Sequence, residues 1–263
     1  MNNSEKILYL DDVNEIKNLK YRYFKACDNH NISQIEACFC DGDIHIDFEN
    51  FGTFSSIQSM LKVYKELGFE SIMVTPHIYK DIYPNTEKDL KSKFQNLISE
   101  TKSIKSPKIT NLGAEYMVDD LFLEKVKSGV ELLPFYKNHV LIEIPLFADS
   151  YLLKQAVFEL QLNDYIVVLA HPERYLNVGT KELKSLREKG VMLQLNALSL
   201  IGNYGKEVRS KAYKLLKNNL FDFIATDAHN PQDLEKLKKL RLTRFYRDKF
   251  DAVLKNQKEE LGI

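Results

Sequence analysis

Six short apolar runs, each preceded by an amphipathic stretch and each broken off by His, Glu, Asn or Asp, limit what this 263-residue chain can fold into. The clearest is YIVVLAHPERY, from Tyr165 to Tyr175. Uninterrupted Val, Ile and Leu at this length read as a strand buried on both faces. His171, Pro172, Glu173 and Arg174 then arrive where that strand must emerge. In parallel α/β folds functional groups collect at the carboxyl ends of the strands. The markers His77, Glu115, Glu143, His171, Asn196 and Asp227 fall 25 to 38 residues apart, the length of a strand, a helix and their loops.

Between the markers the pattern predicts helices over about 57–64, 86–104, 119–128, 150–161, 180–189 and 206–218, with a Lys- and Arg-rich helical remainder over 231–260. The strands are SIMVTPH, KITNLGAE, HVLIEIP, YIVVLAHPER, VMLQLNALS and FDFIATDAH. A seventh candidate, Asp43 to Phe48, alternates strictly, putting Ile44, Ile46 and Phe48 on one face and Asp43, His45 and Asp47 on the other. Two short helices over residues 13–39 precede it. This rhythm predicts a parallel barrel of the TIM type with fewer than eight regular strands. A doubly wound open sheet is the competing arrangement. The barrel is preferred because polar residues end nearly every strand, whereas an open sheet needs them chiefly at its switch point.

Composition narrows the partners. Lys plus Arg equal Asp plus Glu at 37 each, so the charge balance directs the chain neither to nucleic acid nor to an anionic membrane. No apolar run reaches the roughly 18 to 20 residues of a membrane span. The start, Met1-Asn2-Asn3-Ser4-Glu5, is polar where a signal peptide would be apolar, and a cytoplasmic location is expected. Cys27, Cys38 and Cys40 make no disulfide framework. Cys38-x-Cys40 could bind metal, but without a second pair buried thiols are the preferred reading.

If the sheet closes, His77, Glu115, Glu143, His171, Asp227 and His229 converge on one mouth. Imidazole and carboxylate without thiolate is the ligand set of Mn, Fe or Zn in hydrolytic sites. Converging carboxylates repel unless cations lie between them, so a polynuclear centre follows from the charges. Glu143 is especially telling, because a carboxylate inside LIEIP is unfavourable to bury unpaired. Asn196 reads equally as a turn, cap or site residue, and His30 and His139 read as structural.

Taken together, LAHPERY, the preceding FELQ, TPH, GAE, LIEIP and TDAH resemble the bacterial tyrosine-protein phosphatases of the PHP (polymerase and histidinol phosphatase) superfamily, in the branch tied to capsule and exopolysaccharide regulation. The likeness covers about residues 57–255 in order and spacing. It implies a distorted TIM-like (β/α)7 PHP barrel over 56–263, after an atypical segment over 1–55. It further implies up to three divalent ions, Mn first with Fe, Zn or Mg as alternatives. Phosphotyrosine in proteins, including the tail of a tyrosine kinase, would be hydrolysed by a metal-activated water. His77, Glu115, Glu143, His171, Asp227 and His229 match the family's metal ligands, and Arg174 its phosphate-holding arginine. An impaired barrel acting as a binding or regulatory module is the alternative.

The family opens with a strand ending Asp-x-His-x-His, followed by a ligand-bearing loop. This chain has Asp43-Ile44-His45-Ile46-Asp47 and a shorter loop, so His45 and Asp47 stand at those ligand positions, and the first strand is atypical or replaced. The segment EIKNLKYRYFKACDNHNISQIEACFCDGDIHIDFENFGTF also resembles the opening of a SnoaL-like domain, with Arg22, Tyr23 and Asp28 fitting its pattern. A hybrid chain is inferred, joined near residues 52–60. The family's arginine shortly after Asp-x-His is absent from Asn230–Lys236, leaving Arg174 alone, or Arg241 or Arg244 folding back, to hold phosphate.

Overall fold

A computed structural model describes residues 54–80, 82–104, 107–146 and 150–262. The chain divides into two units, Met1–Asp47 and Phe48–Ile263, and every described residue belongs to the second. The expected helices over 13–39, the strand from Asp43 to Phe48, and with it His45 and Asp47, lie outside the described residues.

The elements alternate as the apolar rhythm predicts. In order they are α1 (Phe54–Glu66), β1 (Ser71–Val74), β2 (His77–Ile78), α2 (Glu87–Thr101), β3 (Lys108–Leu112), β4 (Glu115–Met117), α3 (Asp120–Lys127) and β5 (His139–Glu143). There follow α4 (Ser150–Leu162), β6 (Ile166–Ala170), α5 (Thr180–Glu188), β7 (Met192–Asn196), α6 (Ala197–Ile201), α7 (Lys206–Lys217), β8 (Phe223–Ala225), α8 (Pro231–Leu237) and α9 (Arg244–Leu261). Local chemistry sets several boundaries. Thr86 and Asp89 form a reciprocal capping box on α2, Asp119 caps α3, and Asn230 caps α8 with Pro231 in its first turn.

All strand pairs are parallel: β1 with β3, and β2-β4-β5-β6-β7-β8 in sequence order. The two sheets are consecutive stretches of the same chains. SIMVTPH and KITNLGAE, each expected as one strand, are interrupted at Pro76 and Gly113, and hydrogen bonds bridge the gap from Gly113 N to Val74 O (2.9 Å) and from Glu115 N to Pro76 O (3.0 Å). Proline has no N–H to continue the ladder, but its carbonyl still accepts.

Val167, Val168, Leu169 and Ala170 are all fully buried, as a strand covered on both faces requires. Val167 and Leu169 pack outward with Leu153, Leu160 and Leu183 of the covering helices. Val168 and Ala170 pack inward with Leu141 of β5, Met192 of β7, Phe223 of β8 and Met73 of β1. The first and last strands thus share one cluster. Their flanking helices also meet, with Val63 and Tyr64 of α1 against Leu234 and Leu237 of α8. Among the described residues no hydrogen-bonded strand closes the sheet between β8 and β1.

The helical remainder is made of two helices. Leu234 and Leu237 pack toward α1, whereas Tyr246, Phe250 and Val253 pack on the main core, and the chain changes direction over 238–243 to serve both faces. In α9, Gln257 Oε1 accepts the free-edge N–H of Ile224 at 2.9 Å. Among the described residues no helix is long and apolar enough to cross a membrane.

Candidate metal centre

The register of the sheet brings the strand ends together. His77 opens β2 and lies directly opposite Glu115, which opens β4, while Glu143 at the end of β5 lies opposite Met117. His171 follows β6 at once, in a tight turn closed by Arg174 N–H on His171 O at 2.9 Å. His171 and Asp227 both have left-handed backbones, φ 35° and 48°, a conformation that costs a non-glycine residue roughly 1–2 kcal/mol and clusters at functional sites.

Side chains from four strands meet. His77 Nδ1 lies 3.0 Å from Glu143 Oε1, and His171 Nε2 lies 3.1 Å from Glu115 Oε1 and 3.5 Å from Glu143 Oε2. His77 Nε2 faces His229 Nε2 at 3.2 Å, two nitrogens that attract only through a shared proton or cation. His77 also stacks on Tyr83, ring centroids 4.9 Å apart. Glu115 and His171 are almost fully buried.

Burial alone would lower both histidine pKa values. The neighbouring carboxylates outweigh it, Glu143 and Glu115 lifting His77 to about 9, and Glu115 and Glu143 lifting His171 to about 10. Burial would raise Glu143, but His171 and His77 hold it well below the usual carboxylate range. Glu115 is pushed up by burial, which the His171 contact only partly offsets.

These residues fit a divalent ion. Donor atoms of His77, Glu115 and Glu143 all lie within 4.8 Å of one another. Ligands about 2.0–2.2 Å from one ion must lie roughly 3–4 Å apart. His171 Nδ1 is buried without a hydrogen-bond partner. Borderline nitrogen and hard oxygen donors suit Mn, Fe or Zn.

Beside this cluster stands a second group. Asp227 Oδ2 accepts Asn196 Nδ2 at 2.7 Å and lies 3.5 Å from an Arg174 guanidinium nitrogen. Asn196 combines the roles its position suggested. Its oxygen caps α6 by accepting Leu198 N–H at 2.8 Å, and its nitrogen also donates to the Tyr204 hydroxyl at 3.0 Å. Arg174 lies over the Tyr204 ring at 4.7 Å.

Sequence reasoning left Glu173, Tyr204 and Tyr83 without a role. Glu173 is fully buried, its Oε1 accepting Asn196 N–H at 3.0 Å and the Ser199 hydroxyl at 2.7 Å, so it fastens the turn after β6 to the end of β7. An acid between His171 and Arg174 was the available signal. His139, expected to be structural, is buried among Phe135, Tyr136 and Phe223. Arg241 donates to Lys238 O and Leu240 O in its own turn.

Residues 51–244 match the model of the CpsB/CapC family, capsular polysaccharide synthesis, and residues 9–79 match a SnoaL-like domain. The chain is 30% identical over 212 residues to the provisionally named tyrosine-protein phosphatase CapC of Staphylococcus aureus, covering 77% of this chain and 83% of that one. It is 29% identical over 165 residues to tyrosine-protein phosphatase YwqE of Bacillus subtilis, covering 62% and 65% respectively. A solved chain from the metal-dependent tyrosine phosphatases YwqE of Bacillus subtilis and CpsB of Streptococcus pneumoniae matches with a TM-score of 0.61 and 26% identity, over 77% of this chain and 87% of that one.

Proposed function

Because this chain belongs to the CpsB/CapC family, we propose that it is a metal-dependent phosphatase that hydrolyses phosphotyrosine in proteins. The observation that carries this reading is the meeting of His77, Glu115, Glu143 and His171 at the ends of consecutive parallel strands, with Arg174 alongside on Asp227. His77, Glu115, Glu143, His171, Asp227 and His229 would hold up to three divalent ions, Mn first. When bound, such ions neutralise phosphate charge and lower the pKa of a water so that it becomes a nucleophile at neutral pH.

The chain's own residues account for the rest. Arg174 presents its planar fork to two phosphate oxygens. Tyr204 beneath it and Asp227 beside it fix the plane of the fork, and Asn196 in turn fixes Asp227. His229 Nδ1 sits 3.1 Å from Asp227 O, which turns Nε2 toward His77. The tyrosine leaving group, with a pKa near 10, would depart as phenolate and then take its proton from water. No thiol enters the reaction.

The same proposal includes a barrel. Met73 and Phe223 in one inner cluster, and Tyr64 Oη only 2.8 Å from Thr226 Oγ1, support a sheet curled until its edges approach. An atypical first strand near 43–48, a graft of SnoaL-like type over 1–55, a cytoplasmic location and a tyrosine-kinase tail as substrate belong to this proposal too. Phosphate release from a phosphotyrosine peptide, measured with and without Mn²⁺ and after alkylation of Cys27, Cys38 and Cys40, tests it. The expected result is Mn-dependent release indifferent to alkylation. Release abolished by alkylation and indifferent to a chelator would overturn the reading.

A further inference from the structure

A cavity of about 360 Å³ opens between α6 and the 238–241 turn, and four of its lining residues are cationic: Arg209, Lys236, Lys239 and Arg241. None of its lining residues is acidic. Lys236 is paired with Asp233 at 3.0 Å, while Arg209 and Lys239 make no ion pair among the described residues. Like charges converging on a concave surface raise the local potential and draw anions to it.

The cavity adjoins the proposed centre through the chain itself. Its wall includes Asn203, and the next residue, Tyr204, carries the Arg174 guanidinium on its ring. Its other wall is α8, whose cap Asn230 directly follows His229. Tyr204 thus ties the cavity wall to the phosphate-holding arginine within one residue of chain.

We propose that this cleft binds an acidic stretch of the substrate protein, so that phosphotyrosines with Asp or Glu nearby in sequence are preferred. This rests on the phosphatase reading above. The direct test is fluorescence anisotropy of a labelled, unphosphorylated peptide containing four glutamates, titrated with the full chain and with its Arg209→Glu/Lys239→Glu variant. At least tenfold weaker binding by the variant, and weaker binding to the parent protein as salt rises, is expected. Equal affinity in a variant with a native circular-dichroism spectrum overturns the proposal, and Lys239→Gln serves if the double variant fails to fold. Inorganic phosphate that binds the cleft as tightly as the peptide would make it a free-anion site, which also overturns it. In parallel, kcat/KM for acidic-flanked against neutral-flanked phosphotyrosine peptides should differ about tenfold. That preference should vanish in the variant while p-nitrophenyl phosphate turnover stays unchanged. Hydrolysis without flank preference sinks the cleft alone; charge-dependent peptide binding without hydrolysis of any substrate sinks the phosphatase reading and leaves the cleft.

Discussion

A divalent ion at the proposed centre would have to displace protons from its histidines. With His77 raised to about 9 and His171 to about 10, both are imidazolium at pH 7 when no metal is bound. A histidine ligates only as the neutral ring. Competition by protons at pH 7 therefore weakens metal binding roughly a hundredfold through His77 and roughly a thousandfold through His171. Between pH 6.5 and 8.5 the apparent affinity for Mn²⁺ should rise about a hundredfold per pH unit, with about two protons released. Isothermal titration in buffers of different ionisation enthalpy counts them, and His77→Ala should release one fewer. The same shifts fix the stability of the metal-free protein. The two raised histidines contribute fully below the unfolded value of 6.5, and that contribution is lost as pH rises through 9 to 10. Glu143, held low, contributes above 4.5 and loses its contribution as pH falls further. Affinity flat across this range, or release of less than half a proton, would refute the reasoning.

Three substitutions probe the frame and the phosphate-holding group. In Gly113→Ala the new Cβ would lie 2.4 Å from Phe135 Cβ and 2.5 Å from its Cα; Phe135 is held by its N–H on His139 O, so a loss of about 3 kcal/mol is expected, read as a lower urea midpoint. Tyr116→Phe removes the hydroxyl that accepts the buried Leu133 N–H at 2.7 Å and donates to Glu87, and should cost about 1–3 kcal/mol by the same assay. Arg174→Lys keeps the charge but not the fork, and kcat/KM for p-nitrophenyl phosphate should fall about a hundredfold with Mn stoichiometry unchanged.

Much of this was legible because burial writes itself into sequence. No polar residue interrupts the run from Ile166 to Ala170, and the continuous apolar stretch announced a strand covered on both sides, as its buried side chains bear out. Glu143 stood out because a carboxylate at the end of HVLIE needs partners, and His77 and His171 supply them. Less was legible where contacts span the chain without a local pattern. Tyr204 lies 30 residues beyond the arginine it carries, among 14 tyrosines with no mark to distinguish it. The left-handed backbones of His171 and Asp227 carry no sequence mark beyond the greater tolerance of His and Asp for that region. The break over 238–243 was hidden because Lys and Arg dominate the pattern while the apolar face changes its target from α1 to the main core.

The phosphatase reading depends on whether the strand-end cluster binds metal and performs the hydrolysis. Mn content by mass spectrometry and p-nitrophenyl phosphate turnover, measured on the same preparations of the full chain and of His171→Ala, decide it together. The expected result is Mn in the parent protein, Mn-dependent turnover, and loss of both in a variant that retains a native circular-dichroism spectrum. A metal-free parent protein whose turnover is unchanged by His171→Ala would contradict it.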